Sequence, residues 1–538
     1  MPRVSNKPVV QELAALMAAH GVRRCVLCPG SRNAPITATL SARPELFECR
    51  AATDERSAGF AALGWAAQCG EPVAVCVTSG SALLNLHPAV AEAYYRQLPL
   101  VVLSADRPAE AIGQQRGQTL PQPGVYGALV RAAVQLPEDN LPFANRLINE
   151  ALLELRHHGG GPVHLNVPLS EPLFEQTELP ALPRVRVIRR TVAARCTEAE
   201  REELRRTLRD CPRRMILCGQ MSALPPGLPE FAAAGGFALV GEHLCNAPRG
   251  ACCVFPDAVL GPAPESALSP DLLVTLGGCV ISKRLHALLR AHPPREHWQL
   301  SPDGAVVDSF GALTRVVEGQ SEAFFELLAP LDNRGEPAYA ARWRCPEPPP
   351  LPAGYGAAQL VAETLAALPP GSVLHLANSS AVRYAQLVAL PEHTQTECNR
   401  GVNGIEGSLS TALGYAAGDA RLNLVLIGDL SFFYDMNALW LPGVGSNLRV
   451  LLLHNGGGGI FDTLPMPRND FVRAPHGADA AAWARSRGWE VHTVRCRDEW
   501  SAALAALLSP NAAAPVLVQA MTDAAADAAL LREFRNKH

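Results

Sequence analysis

Asp429 and Asn455 are the two side chains whose types and spacing point most directly to chemistry. They lie 26 positions apart, and each follows an apolar run. Leu424–Ile427 leads into Gly428-Asp429-Leu430-Ser431, and Val450–Leu453 leads through His454 into Asn455 and four glycines, Gly456 to Gly459. The aspartate offers a hard anionic oxygen and the asparagine a neutral one, the donor types that Mg²⁺ takes before completing its octahedron with phosphate and water. The glycines let backbone approach a phosphate, supplying amides to the anion and a carbonyl, such as that of Gly457, to the metal. Gly-Asp alone reads as a turn, and four glycines alone as a flexible loop. Placed after two successive strands, where open parallel sheets bind ligands, they read as a metal–diphosphate site.

Other candidates are charged. Glu55 opens a helical stretch, Glu55–Gln68, whose following residues are mostly small or apolar. The helix dipole alone would account for an acid there. Arg32, Arg107, Arg383 and Arg400 fall at predicted strand ends and loops, with Lys283-Arg284 between them in sequence. Ser31, Asn378 and Ser379 stand beside them. Arginine binds carboxylates through two parallel hydrogen bonds, so such a set suits substrates carrying more than one carboxylate.

These residues need a scaffold of strands. Val22–Cys28, Val73–Val77 and Leu100–Leu103 read as buried strands separated by helical patterns, which predicts a parallel sheet covered on both faces. The pattern then returns about 350 positions later. Ala62-Leu-Gly-Trp-Ala-Ala67 matches Ala412-Leu-Gly-Tyr-Ala-Ala417, and Val9–Ser31 resembles Ala358–Ser380. Leu100–Asp106 corresponds to Arg449–Asn455, one position off that offset. With the loop after Val73–Val77 answering to that after Leu424–Ile427, four elements in one order predict a duplicated α/β domain. Ser79 and Asp106 of the first copy stand where the second has Asp429 and Asn455.

A middle segment has its own strands, Met215–Leu217, Ala238–Val240 and Leu272–Leu276, each followed by glycine. No G-x-G-x-x-G follows any of them, so no dinucleotide site is expected. Proline-rich stretches near Leu179–Pro183 and Cys345–Gly354 set expected domains of 1–180, 185–345 and 355–538. The fold class is thus α/β, with three doubly wound parallel-sheet domains, the first and third duplicated.

Composition narrows the classes. Of 538 residues 48% are hydrophobic and 18% charged, with a net charge of −4, which gives no reason to expect nucleic acid or an anionic membrane. No apolar run approaches a bilayer span and the first ten residues carry no secretion signal, so a cytoplasmic location is expected. Fifteen cysteines, an odd number, suit reduced thiols. Cys25 and Cys28 form one C-x-x-C on a strand, where positions three apart face opposite ways, and no second pair completes a zinc site.

Gly-Asp followed by Asn after about 25 residues resembles the thiamine-diphosphate signature. With Asp54-Glu55-Arg56, Pro29–Pro35, Thr78–Asn85, Gln118–Gly124, Asn399–Ser410 and Asn455–Phe461, the chain resembles the 2-succinyl-5-enolpyruvyl-6-hydroxy-3-cyclohexene-1-carboxylate synthase family of menaquinone biosynthesis over nearly its whole length. His454, where the family often has Asn, and Ala377, where Gly is common, depart from it. The resemblance implies thiamine diphosphate with Mg²⁺, or Mn²⁺ in its place, held by Asp429, Asn455 and Gly457. Gly428, Leu430, Ser431, Gly458, Ile460, Ser379 and Ile405 would line the cofactor. Glu55 would hold the aminopyrimidine, a role that suits a carboxyl whose pKa burial has raised.

By the same resemblance the donor is 2-oxoglutarate and the acceptor isochorismate. The enzyme would decarboxylate the first and add the resulting succinyl-semialdehyde carbanion equivalent to the second by 1,4-addition. Ser379, Arg383 and Arg400, beside Asn378, would hold the donor. Ser31, Arg32, Arg107, Gln118, Lys283 and Arg284 would hold the acceptor or orient the adduct, with Glu55, Gln118 and Arg32 catalytic. Phe461 and Leu464 would form an apolar patch at the reacting centre. The active sites would lie between subunits of a homodimer or homotetramer. A different 2-oxo-acid decarboxylase or an acetohydroxyacid-synthase-like carboligase is the alternative on this scaffold. A non-catalytic ligand-binding protein is disfavoured by the intact Glu55, Asp429 and Asn455.

Overall fold

The structure, a computed structural model, describes residues 2–190, 196–261, 264–328, 335–348, 351, 354–463 and 469–537. The expected linker Cys345–Gly354 is therefore described only in part. Its residues 349, 350, 352 and 353, like Leu464, lie outside the described residues.

The first strands in chain order are β1 (Arg3–Ser5), β2 (Arg24–Leu27), β3 (Glu48–Ala51), β4 (Val73–Val77), β5 (Leu100–Asp106), β6 (Ala132–Gln135), β7 (Val163–Pro168) and β8 (Gln176–Glu178). β1 and β8 pair antiparallel as a two-stranded ribbon, and the other six form a parallel sheet in the order β3-β2-β4-β5-β7-β6. β9 (Arg214–Cys218), β10 (Phe237–Val240), β11 (Leu272–Leu276), β12 (Glu296–Ser301) and β13 (Arg315–Glu318) build a second parallel sheet, ordered β10-β9-β11-β12-β13. β14 (Val373–Leu376), β15 (Gln395–Cys398), β16 (Asn423–Gly428), β17 (Leu448–His454), β18 (Glu490–Val494) and β19 (Val516–Met521) build a third, ordered β15-β14-β16-β17-β19-β18.

Counted within its own sheet, the third repeats the strand order of the first, second-first-third-fourth-sixth-fifth. The duplication read from four short matches thus extends to the whole topology. β4, β5 and β9 are buried at every position, and β17 likewise, as expected of parallel strands covered on both faces. Cys25 and Cys28 do face opposite ways, into separate clusters on the two sides of the first sheet.

The described residues divide into two compact units. One holds residues up to 190 with Gly401–Ala420 and Ser431–Leu448; the other holds residues between 196 and 400, with Arg421–Leu430 and the chain from Arg449 onward. Within the first unit the proline-rich stretch at Leu179 is no free tether. The Leu179 amide donates to the Pro2 carbonyl, and Arg43 donates to the carbonyls of Leu179 and Pro180.

The same unit explains why one repeat is so legible. The helix Glu55–Cys69 carries Ala62–Ala67, and the helix Ser408–Ala416 begins the matching stretch. These two helices pack against each other. A Cβ at Gly64 would lie 2.0 Å from the Thr411 carbonyl oxygen, and one at Gly414 would lie 2.0 Å from that of Ala61. Thr411 and Ala61 are themselves equivalent at the 350 offset, so the copies meet about a local twofold axis with glycine at both close approaches.

Because both approaches are to rigid backbone, Gly64→Ala must push the helices apart. It should lower stability by about 1–3 kcal/mol, and Gly414→Ala should cost a similar amount. Urea denaturation midpoints check both, and an unshifted midpoint would contradict the close packing.

Candidate active site

Asp429 is buried at the start of the short helix Asp429–Tyr434, directly after β16. One carboxylate oxygen accepts the Leu430 amide at 2.7 Å. The other accepts three amides from the loop after β17: Asn455 at 3.1 Å, Gly456 at 2.7 Å and Gly457 at 3.1 Å. Gly456 and Gly457 have φ of 75° and 154°, backbone that L side chains rarely adopt. The neck of the loop closes where Gly458 N–H donates to the Arg473 carbonyl and His476 N–H to that of Gly456.

Asn455, whose amide is one of these three, also carries a side-chain oxygen. That oxygen is buried and takes no hydrogen bond. An amide oxygen left bare inside a protein costs free energy unless something supplies positive charge. A hard cation beside Asp429 would do so, and the glycine amides and carbonyls can serve a phosphate and the metal. The donor set therefore fits Mg²⁺ with a diphosphate. The helical segments following the two strands are short. Asp429–Tyr434 has six residues, and Gly459–Thr463 is a 3₁₀ turn holding Ile460 and Phe461, so local amides and not a long helix dipole supply the positive field.

Two histidines stand beside Asp429, close enough to form a cluster of ligand atoms with it, and the sequence did not assign them to the site. His476 Nε2 is 3.5 Å and His454 Nε2 3.9 Å from the carboxylate oxygen that holds the loop amides, and their rings stack. Burial pushes the His454 pKa down. His454 was visible only as a departure from a family pattern, and His476 carried no sequence signal because a loop excursion separates it from Asn455.

In the first unit, the Asp54 carboxylate caps the helix that starts at Glu55, accepting Ser57 N–H at 3.0 Å, and also accepts Asn437 Nδ2 at 2.8 Å. Glu55 is half-buried there. Ser431 Oγ donates to the Ile405 carbonyl. Arg32 is buried, donating to the Leu169 carbonyl at 2.8 Å and pairing with Glu171 at 3.0 Å. Burial and the neighbouring Arg107 lower its pKa. The Nε atoms of both arginines are buried without a hydrogen-bond partner, as are Thr78 Oγ1 and Ser79 Oγ, an arrangement suited to an anion. Ser31 and Gln118 are exposed. Gln118 has φ of 57°, strained for a side chain of this kind, and it approaches Gly80 so closely that a Cβ there would lie 3.2 Å from its Cα.

Asp106 does not copy its counterpart Asn455. Its carboxylate is wired inward, accepting Asn166 Nδ2 at 2.8 Å and the Arg107 amide at 2.7 Å. Asn166 Oδ1 in turn accepts Gln122 Nε2 at 2.8 Å, and Gln122 Oε1 accepts the Gly80 amide at 2.8 Å. The first copy therefore uses its strand ends to hold the Gln118 and Arg107 loops.

The second unit gathers the proposed donor residues. Ser379 has φ of 73°, and Arg383 donates to its carbonyl. Arg400, 7% exposed, donates to Asn378 Oδ1 at 3.0 Å, and its Nε is buried without a partner. Cys279 Sγ lies 3.9 Å from Arg400, four positions before Lys283. Lys283 and Arg284 are exposed at the start of the helix Lys283–Ala291.

Residues 8–124 match the family described as "Thiamine pyrophosphate enzyme, N-terminal TPP binding domain". The fold also resembles that of benzoylformate decarboxylase from Polynucleobacter necessarius, with a TM-score of 0.71 over 95% of this chain and 98% of that one at 18% identity. Fold, strand-end donors and this match define a thiamine-diphosphate enzyme. A 2-succinyl-5-enolpyruvyl-6-hydroxy-3-cyclohexene-1-carboxylate synthase from Bacteroides fragilis is 48% identical, covering 98% of this chain and 99% of its own. One from Desulfotalea psychrophila is 38% identical, over 87% and 90%. The chain belongs to the 2-succinyl-5-enolpyruvyl-6-hydroxy-3-cyclohexene-1-carboxylate synthase family.

If the bare Asn455 oxygen is a metal ligand, Asn455→Ala should weaken Mg²⁺-dependent binding of thiamine diphosphate at least ~10-fold in calorimetry, since even outer-shell changes at metal sites cost that much. Undiminished binding would remove Asn455 from the site.

Proposed function

We propose that this protein decarboxylates 2-oxoglutarate and adds the remaining four-carbon unit to isochorismate by 1,4-addition, releasing CO₂ and 2-succinyl-5-enolpyruvyl-6-hydroxy-3-cyclohexene-1-carboxylate, as a transferase of menaquinone biosynthesis. The observation that carries this reading is the bare side-chain oxygen of Asn455, the residue whose own amide donates to Asp429, in a chain of this family. Asp429, Asn455 and the Gly457 carbonyl hold the metal. Gly428, Leu430, Ser431, Gly458, Ile460, Ser379 and Ile405 line the cofactor. Thiamine diphosphate, when bound, supplies the nucleophilic carbon that attacks the 2-oxo group and stabilises the charge left by CO₂.

The chain's own residues bind, orient and move protons. Glu55 holds a proton at the aminopyrimidine ring. Ser379, Arg383 and Arg400, with Asn378, grip the donor's carboxylates. Ser31, Arg32, Arg107, Lys283 and Arg284 take the acceptor, and Gln118 handles the proton near the reacting carbon. Phe461 keeps water from that carbon, and Leu464 is assigned beside it by resemblance. The buried, unpartnered guanidinium nitrogens of Arg32, Arg107 and Arg400 support two anionic substrates.

The three parallel sheets support domains 1–180, 185–345 and 355–538. Active sites shared between subunits of a homodimer or homotetramer belong to the same proposal. A cytoplasmic location is part of the same proposal; among the described residues no helix is long and apolar enough to cross a membrane.

Isochorismate consumption should require 2-oxoglutarate, thiamine diphosphate and Mg²⁺ together; preferential turnover of pyruvate would overturn the substrate assignment. Glu55→Gln should slow exchange of the cofactor's C2 proton by ~10²-fold or more, followed by NMR, while leaving diphosphate binding intact. Arg383→Ala should raise the KM for 2-oxoglutarate ~10-fold or more, the worth of a charged hydrogen bond, without changing Mg²⁺ affinity.

A further inference from the structure

The central sheet carries a buried acid that the reaction does not use. Glu242 follows β10 and is 3% exposed. Its two carboxylate oxygens accept consecutive amides of the loop after β11: Ile281 N–H at 2.6 Å and Ser282 N–H at 2.7 Å. Burial raises its pKa to about 7, while Arg400 and the two amides act in the opposite direction. Ionisation so far inside a protein is expensive, and an isosteric amide could satisfy only one of two facing N–H groups.

The loop it grips leads straight into Lys283 and Arg284. Ser282 caps the helix Lys283–Ala291, accepting Leu285 N–H at 3.0 Å and donating to the Asp257 carboxylate. Arg284 donates to the Asp257 carbonyl at 3.1 Å. Two cations in the first turn of a helix oppose its dipole, whose positive end favours acids. A local choice against its own element is expected where function demands it. The backbone carboxylate clamp holds these cations at the helix end while leaving both side chains exposed.

The loop that bears Glu242 is itself anchored. His243 Nε2 is 2.8 Å from the Val388 carbonyl, Asn246 Oδ1 accepts the Thr396 amide at 2.7 Å, and Gln220 Nε2 donates to the Cys398 carbonyl at 2.6 Å. Loops after β9 and β10 thus pin the chain at Val388, Thr396 and Cys398, ahead of Arg400, and Cys279 in the loop after β11 lies 3.9 Å from Arg400 itself. A Cβ at Gly219 would lie 1.9 Å from the Gly278 carbonyl oxygen, so backbone fills the crevice between β9 and β11. The switch point where such sheets bind nucleotides serves here to brace the substrate side.

We propose that Glu242 is a positioning residue that fixes the Lys283–Arg284 pair for the anionic acceptor, an inference resting on the assignment of that pair to substrate above. Glu242→Gln should raise the KM for isochorismate ~10-fold or more, the scale of a small misplacement of a binding group, with kcat changed less than about threefold and thiamine diphosphate affinity unaltered in calorimetry. Glu242→Asp, which keeps the charge but is too short for both amides, should give a smaller rise and stands in should the Gln variant not fold. The double variant Lys283→Ala/Arg284→Ala separates the two ideas. If it leaves the isochorismate KM unchanged, the substrate assignment of the pair fails. If it raises that KM while a folded Glu242→Gln or Glu242→Asp protein does not, the positioning role is overturned. Adding Glu242→Gln to the double variant should raise KM no further, because the glutamate acts only through the pair; an additive rise would also refute it.

Discussion

One carboxylate sets the geometry on which the site depends. Asp429 sits at the end of β16, and one of its oxygens collects three successive amides from the end of β17. Without it those amides would be buried donors lacking acceptors, and the Asn455–Gly459 loop would have no reason to hold left-handed backbone at Gly456. With it, two strand ends are locked at a fixed spacing, and the Asn455 oxygen stays bare. A candidate cation site arises where the backbone hydrogen bonds of one loop are completed by a side chain from another.

The two copies of the duplicated domain divided the work from the same starting plan. Strand order is preserved in both sheets. At the position of Asn455 the first copy has Asp106, whose charge is absorbed by Asn166 and its own neighbour's amide. The chain of hydrogen bonds through Gln122 to Gly80 makes that copy a support for Gln118 and for paired arginines. The helices bearing the ALGxAA repeat kept glycine for a different reason, since Gly64 and Gly414 each face the other's backbone.

The central sheet has the parallel topology of a nucleotide-type scaffold, and its loops brace a neighbouring part of the same unit. Its switch point is closed by backbone at Gly219 and Gly278, and its loops are pinned onto the segment that presents Arg400. Glu242 extends the same logic to Lys283 and Arg284. Anionic substrates call for clustered cations, and backbone braced by a buried carboxyl group can hold exposed cations in place.

Amino-acid order alone determined the parallel strands, because runs such as Val73–Val77 and Leu100–Leu103 are apolar on both faces, and it determined the duplication, because packing kept the repeated glycines. It also marked Asp429 and Asn455, since unusual donors after apolar runs are rare enough to notice. It left His476, Glu242 and the inward wiring of Asp106 unseen. Each acts through partners far away in sequence, and the types involved, a histidine in a loop and acids after strands, are ordinary when isolated. Only the tertiary structure decides which buried oxygen is satisfied and which stays bare, because that depends on where every neighbouring donor points.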